Sequence, residues 1–167
     1  GRPGGTGHYG PAFPAVSVRD MVRAQAALLE ALGVGRLQLV AGGSLGGMQA
    51  LEWAALYPER VAAVAALAVS GRHSAWCIGL SEAQRQALYA DPLWQDGAYD
   101  PAAPPAAGLR AARMLAMCAY RSRASLEQRF GRRPAPGGGF EVEAWLRRHG
   151  DRLVERFDAN SYVTLTR

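Results

Sequence analysis

The feature that most constrains this chain is a glycine-rich turn, Gly42-Gly43-Ser44-Leu45-Gly46-Gly47. It lies between Arg36–Ala41, which reads as a short strand, and Met48–Tyr57, which reads as a helix closed by Pro58. Val61 to Val69 is apolar throughout, which predicts a second strand buried on both faces, as in a parallel sheet. Upstream, Val18, Met21, Val22, Leu28, Leu29 and Leu32 fall on one helical stripe, interrupted by Gln25. Ser17 and Asp20 give that helix the character of a capping box, and Gly33 and Gly35 are expected to end it with positive backbone dihedrals. Helix, strand, turn, helix, strand is the order of an α/β fold with right-handed crossovers.

The character changes after Ser70. Helices are expected at Ser81–Ala90, Gly108–Ser122, Phe140–His149 and Asp151–Phe157, with a proline-rich connection over 91–107 and a flexible loop over 132–139. Residues 1–16, rich in Gly and Pro, read as an irregular entry. The chain therefore divides into a sheet-bearing part, residues 1–80, and a helical appendage, residues 81–167.

Composition narrows the function. With 49% hydrophobic and 20% charged residues, the 167-residue chain suits a globular protein. No apolar run reaches the roughly 18 residues of a membrane span, and no charged-then-apolar leader opens it, so a cytoplasmic location is expected. The net charge of +5 comes entirely from arginine, since lysine is absent. These arginines are scattered among acids, as in Glu59-Arg60 and Glu155-Arg156, without the basic, aromatic-laced tract of single-strand binders; nucleic acid is not an expected partner. His8, His73, His149, Cys77 and Cys118 form no metal-ligand spacing, so no metal is expected, and both cysteines read as small buried hydrophobes.

Gly42-Gly43-Ser44-Leu45-Gly46 fits G-x-S-x-G, a pattern that is weak alone but here joins a strand to a helix, as a nucleophile elbow requires. In that geometry the Ser44 hydroxyl stands clear of the sheet, and the Leu45 N–H points at a developing oxyanion with help from the helix dipole. Gly42 and Gly46 would remove side chains that collide as strand and helix close up. A plain connecting turn or a phosphate cradle are the competing readings; the second lacks the lysine of a P-loop. An elbow serine needs a carboxylate and a histidine later in the chain. His73 comes too early, and His149 reads as a helix-end residue favoured by the dipole, so the base is expected outside this chain, which would then be a fragment.

Beyond the elbow, Gly42 to Ala54 (GGSLGGMQALEWA) resembles the corresponding segment of homoserine O-acetyltransferases, in the α/β-hydrolase superfamily. Matching strings run almost end to end, among them Val18-Arg19-Asp20-Met21-Val22, Tyr57-Pro58-Glu59-Arg60-Val61, Ala112-Arg113-Met114, Tyr120-Arg121-Ser122 and Arg156-Phe157-Asp158-Ala159-Asn160-Ser161-Tyr162. The resemblance implies a partial α/β-hydrolase core followed by a helical lid. It implies acetyl transfer from acetyl-CoA, as co-substrate with no bound cofactor, to L-homoserine, through an acyl-Ser44 intermediate in methionine biosynthesis. By the same resemblance Arg113 binds the homoserine carboxylate, Tyr120 lines the substrate site, and the full-length protein is a homodimer. The family's catalytic Asp and His fall beyond Arg167 and its second oxyanion donor before Gly1, which implies that this chain alone is inactive. A succinyl donor, a serine acceptor, ester hydrolysis and a non-catalytic remnant stay open as alternatives.

Overall fold

The computed structural model describes residues 8–167. They form seven α-helices and two paired strands, gathered into two compact units. One is Pro14–His73; the other joins the described residues up to Phe13 to Ser74–Arg167. The expected division after residue 80 falls inside a helix, because Ser74 rather than Ser81 is its cap: the Cys77 N–H donates to Ser74 Oγ at 3.2 Å. The part of residues 1–16 before His8 lies outside the described residues, and Gly10–Ala12 form a single 3-10 turn.

The first unit opens with α1, Val18–Ala31, under the reciprocal Ser17–Asp20 cap read from the sequence. Gly33, at φ 73°, ends it; Gly35 does not take a positive φ. β1, Val40–Gly43, runs parallel to β2, Val64–Leu67, with Val40 opposite Val64 and Gly43 opposite Leu67. Between them lies α2, Leu45–Leu56. Val22 and Ala26 of α1 and Trp53 of α2 form a buried cluster with Leu37, Val40 and Val61. Gln25, the polar break in the α1 stripe, sits beside that cluster with its amide engaged. Its Oε1 accepts from the Trp53 indole at 2.8 Å and its Nε2 donates to Gln49. Strand β2 is not buried on both faces as expected: Val64 to Ala66 are half-buried and Leu67 is 63% exposed. The Val22–Ala26–Trp53 cluster rests on the side of the sheet that carries Val40, and alternate residues of β1 point into solvent.

The second unit is helical. It comprises α3, Ala75–Tyr89; α4, Ala106–Ala119; α5, Arg123–Arg129; α6, Glu141–Val154; and α7, Ala159–Leu165. Its core joins Leu88, Leu109, Ala112, Leu153, Tyr162 and Val163. The two helices expected either side of Gly150 are one, because Gly150 is buried where α6 crosses α4: a Cβ there would meet Arg110 Cγ at 2.5 Å. The short α5 and α7 are announced only by their caps, Ser122 and Asp158, each accepting from an N–H three residues on.

Candidate active site

The elbow is built by crowding. A Cβ added to Gly42 would lie 2.2 Å from both the carbonyl carbon and oxygen of Gly46, so the last residues of β1 and the first turn of α2 meet backbone to backbone. The second crowded glycine is Gly47, against Val69 at 3.0 Å; Gly46 itself has open space where a Cβ would go. The expectation holds for Gly42, where Gly46 backbone leaves no room for a side chain, and fails for Gly46, whose place in α2 is taken by Gly47, against which Val69 packs.

Between strand and helix, Ser44 takes φ 53° and ψ −121°, a conformation that an L-residue holds only under constraint. The constraint is visible. Its N–H donates to the Leu67 carbonyl at 2.9 Å, continuing the β1–β2 pairing, while its carbonyl accepts from the Met48 N–H at 3.0 Å, starting α2. The side chain is exposed and does not cap the helix. Held this way, the hydroxyl is presented at the end of the strand rather than used by the backbone. The Leu45, Gly46 and Gly47 N–H groups precede the first intrahelical bond, and with the helix dipole they create a positive region beside the serine. Such a region stabilises an oxyanion formed on a carbonyl attacked by Ser44.

No histidine or carboxylate hydrogen-bonds the Ser44 hydroxyl among the described residues. Sequence reasoning did not single out Leu67, whose carbonyl holds Ser44, or Ala68, which follows at φ 49°. Both lie within the apolar run Val61–Val69, where composition hides a backbone irregularity.

In the helical unit, Arg113 and Tyr120 share one face of α4: the guanidinium carbon lies 5.6 Å from the Tyr120 ring centroid. Arg113 is half-buried and Tyr120 is 67% exposed. His149 is not at a helix end. It lies within α6, edge-on to Trp145 with centroids 4.7 Å apart, and burial together with Arg113, Arg152, Arg129 and Arg121 holds its pKa below the ordinary histidine value. A dipole-favoured histidine would shift the other way. Cys77 and Cys118 are both exposed rather than buried, since they fall in the first turn of α3 and the last turn of α4, on outward faces. Among the described residues no three His, Cys, Asp or Glu gather as metal ligands, and no helix is long and apolar enough to cross a membrane.

The chain is 62% identical over 159 residues to the homoserine O-acetyltransferase of Trichormus variabilis, covering 95% of this chain and 44% of that protein. It is 59% identical over 160 residues to the homoserine O-acetyltransferase of Chlorobaculum tepidum, covering 96% and 45%. The chain thus spans about half the length of the curated relatives it matches. Among solved structures it superposes on a homoserine O-acetyltransferase from Bacillus anthracis with a TM-score of 0.88 at 24% identity, over 98% of this chain and 46% of that one. It also superposes on an acetylester hydrolase from Corynebacterium glutamicum with a TM-score of 0.83 at 26% identity, over 97% and 46%. The α/β hydrolase fold family matches residues 2–160. With that match, a parallel strand pair and a serine at the strand-to-helix bend, the chain belongs to the α/β-hydrolase fold family.

Proposed function

We propose that the whole protein is an acyltransferase, a homoserine O-acetyltransferase, and that Ser44 carries the acetyl group between its two substrates. The reading is supported by relatives of that name at about 60% identity along nearly all of this chain, and above all by the strained, exposed Ser44 at the start of α2. Ser44 Oγ attacks the acetyl-CoA carbonyl as a general base takes its proton. The Leu45 N–H donates to the oxyanion, which collapses as the C–S bond breaks, and the thiolate leaves with the proton. The homoserine hydroxyl, its carboxylate held by the Arg113 guanidinium and Tyr120 lining the acceptor's pocket, then gives its proton to the base and attacks the acetyl-serine ester; the C–O bond to Ser44 breaks, Ser44 Oγ takes the proton back, and O-acetylhomoserine leaves. We place this enzyme in the cytoplasm as a homodimer without bound cofactor.

Ser44→Ala in the whole protein is expected to abolish the acetyl-enzyme seen by mass spectrometry after mixing with acetyl-CoA. Persistence of the adduct would remove Ser44 from this role. The likeness to an acetylester hydrolase favours a second reading, hydrolysis. It would be revealed by acetyl-serine turning over as fast in buffer as in saturating homoserine.

A further inference from the structure

The two strands of the first unit end in the same way. Gly43 is the register partner of Leu67, so Ser44 and Ala68 follow them side by side, and both take a positive φ, 53° and 49°. The bend at Ser44 belongs to the elbow. Ala68 is a second L-residue outside its ordinary backbone range, one strand away.

That second bend changes which side of the sheet the next residue serves. In a straight strand Leu67 and Val69 would point to one face, and Leu67 points to solvent. The α2 side is the opposite one, where Gly42 and its partner Ala66 lie, since an added Cβ at Gly42 would meet Gly46. Val69 nevertheless packs on α2: its Cβ and Cγ1 each lie 3.0 Å from where a Cβ of Gly47 would be. The left-handed Ala68 turns it there. Beyond it, Ser70 Oγ donates to the Arg72 carbonyl at 2.9 Å, closing a short turn.

Strand β2 therefore grips the elbow at two points. The Leu67 carbonyl accepts from the Ser44 N–H at 2.9 Å, and the Val69 side chain lies on Gly47, the third residue of α2. Between those points run Leu45 and Gly46, whose N–H groups precede the first intrahelical bond. A donor aimed at developing charge loses its effect steeply when displaced. Gly42 of β1 supports this turn from one side and Val69 of β2 from the other. Valine suits the task, because branching at Cβ leaves its side chain little rotamer freedom to lose the contact.

We propose that Val69, turned onto α2 by Ala68, is a positioning residue for acyl transfer: it braces the first turn of α2 so that the Leu45 N–H stays aimed at the oxyanion formed on Ser44. The assignment rests on the acyl-transfer reading above and adds to it a residue that acts through the oxyanion donor.

The test follows the first half-reaction in the whole protein, with acetyl-CoA and no homoserine. Rapid quench gives the acetylation rate constant and the apparent Kd of acetyl-CoA. Infrared spectroscopy of the acetyl-enzyme, isotope-labelled at the acetyl carbonyl, reads the ester stretch, which rises in frequency as its hydrogen bond weakens. Val69→Ala is expected to slow acetylation by about tenfold, to leave the apparent Kd within about twofold, and to move the band up. Val69→Ile keeps both atoms that meet Gly47 and should restore rate and band. Val64→Ala makes the same truncation in the body of β2, opposite Val40, and should lower stability with rate and band unchanged. Gly47→Ala crowds the contact from the helix side, so it tests the brace even where Val69→Ala does not fold; it too should slow acetylation by about tenfold and raise the band. A wild-type rate and an unmoved band in Val69→Ala or Gly47→Ala would overturn the assignment. Equal slowing by Val64→Ala would overturn it as well, by making the effect one of stability. A wild type that forms no acetyl-enzyme would instead sink the acyl-transfer reading, and the brace's role with it, an outcome distinct from an ester whose band ignores position 69.

Discussion

Gly42 and Gly46 pack so closely that a methyl group on the first would lie 2.2 Å from the carbonyl carbon and oxygen of the second. The obstacle is backbone, which cannot swing aside as the tip of a long side chain can. Gly42→Ala must therefore separate β1 from α2 or tilt the bend. It is expected to cost about 3 kcal/mol or more, the upper range for overpacking, measured as a lower urea midpoint. Gly43→Ala, at a position with nothing within 4 Å of the added atom, should change stability by less than about 1 kcal/mol. Equal effects at the two positions would mean that the close approach is absent.

Ser44 holds its positive φ at a cost. Strain of this kind is worth roughly 1–3 kcal/mol, and glycine escapes it, while glycine's extra freedom in the unfolded chain returns about 0.5–1 kcal/mol. Ser44→Gly should thus raise the unfolding free energy by about 1 kcal/mol, whereas Ser44→Ala, which keeps the Cβ, should leave it nearly unchanged. A serine that is dispensable for stability and strained in place fits a residue held for chemistry. Loss of stability in Ser44→Gly would contradict the strain.

The helical unit depends on a buried polar contact. Tyr162 donates to Gln84 Oε1 at 2.5 Å, while Gln84 Nε2 donates to the Leu80 carbonyl at 2.9 Å. Tyr162→Phe leaves that Oε1 without its donor and should cost about 1–3 kcal/mol. Burial also pushes the Tyr162 hydroxyl up to about 12 from 10.0. In the unfolded chain it ionises near 10, so stability is complete below that value and falls as pH rises toward 12. The alkaline loss should be smaller in the phenylalanine variant, by paired urea titrations across that range.

Arg113 is half-buried on the α4 face that also carries Tyr120. If it holds the acceptor's carboxylate, Arg113→Ala should raise the homoserine KM by about two orders of magnitude while acetylation of Ser44 proceeds. Rapid-quench measurement of the acetyl-enzyme separates the two half-reactions. An unchanged KM would assign Arg113 to the helix surface alone.

Much of this was legible in the sequence because the signals are local. The Ser17–Asp20 box, the strand-to-helix bend at Ser44 and the apolar stripe of α1 each depend on neighbours within a few residues. What could not be read are effects of distant packing. Gln25 interrupts a core stripe because Trp53 and Gln49 complete its hydrogen bonds, and α6 continues through Gly150 because Arg110 presses on it. Val61–Val69 predicted burial from apolarity, but burial needs cover on both faces, and Leu67 remains exposed. At the site, the serine was readable from its glycines; the Leu67 carbonyl that anchors it was not, because a backbone acceptor leaves no trace in residue type.

His149 supplies a pH response with a defined sign. Burial against Trp145 and the charges of Arg113, Arg152, Arg129 and Arg121 keep its folded-state pKa below the ordinary 6.5. The unfolded chain therefore takes up this proton first as pH falls. The stability that His149 confers is whole above 6.5 and is lost as pH drops through its folded-state value. Neutral His149→Gln should flatten that part of the pH–stability curve, measured by urea unfolding from about pH 7.5 to pH 5. A His149→Gln variant whose slope matches the wild type would show that the arginines do not act on the ring.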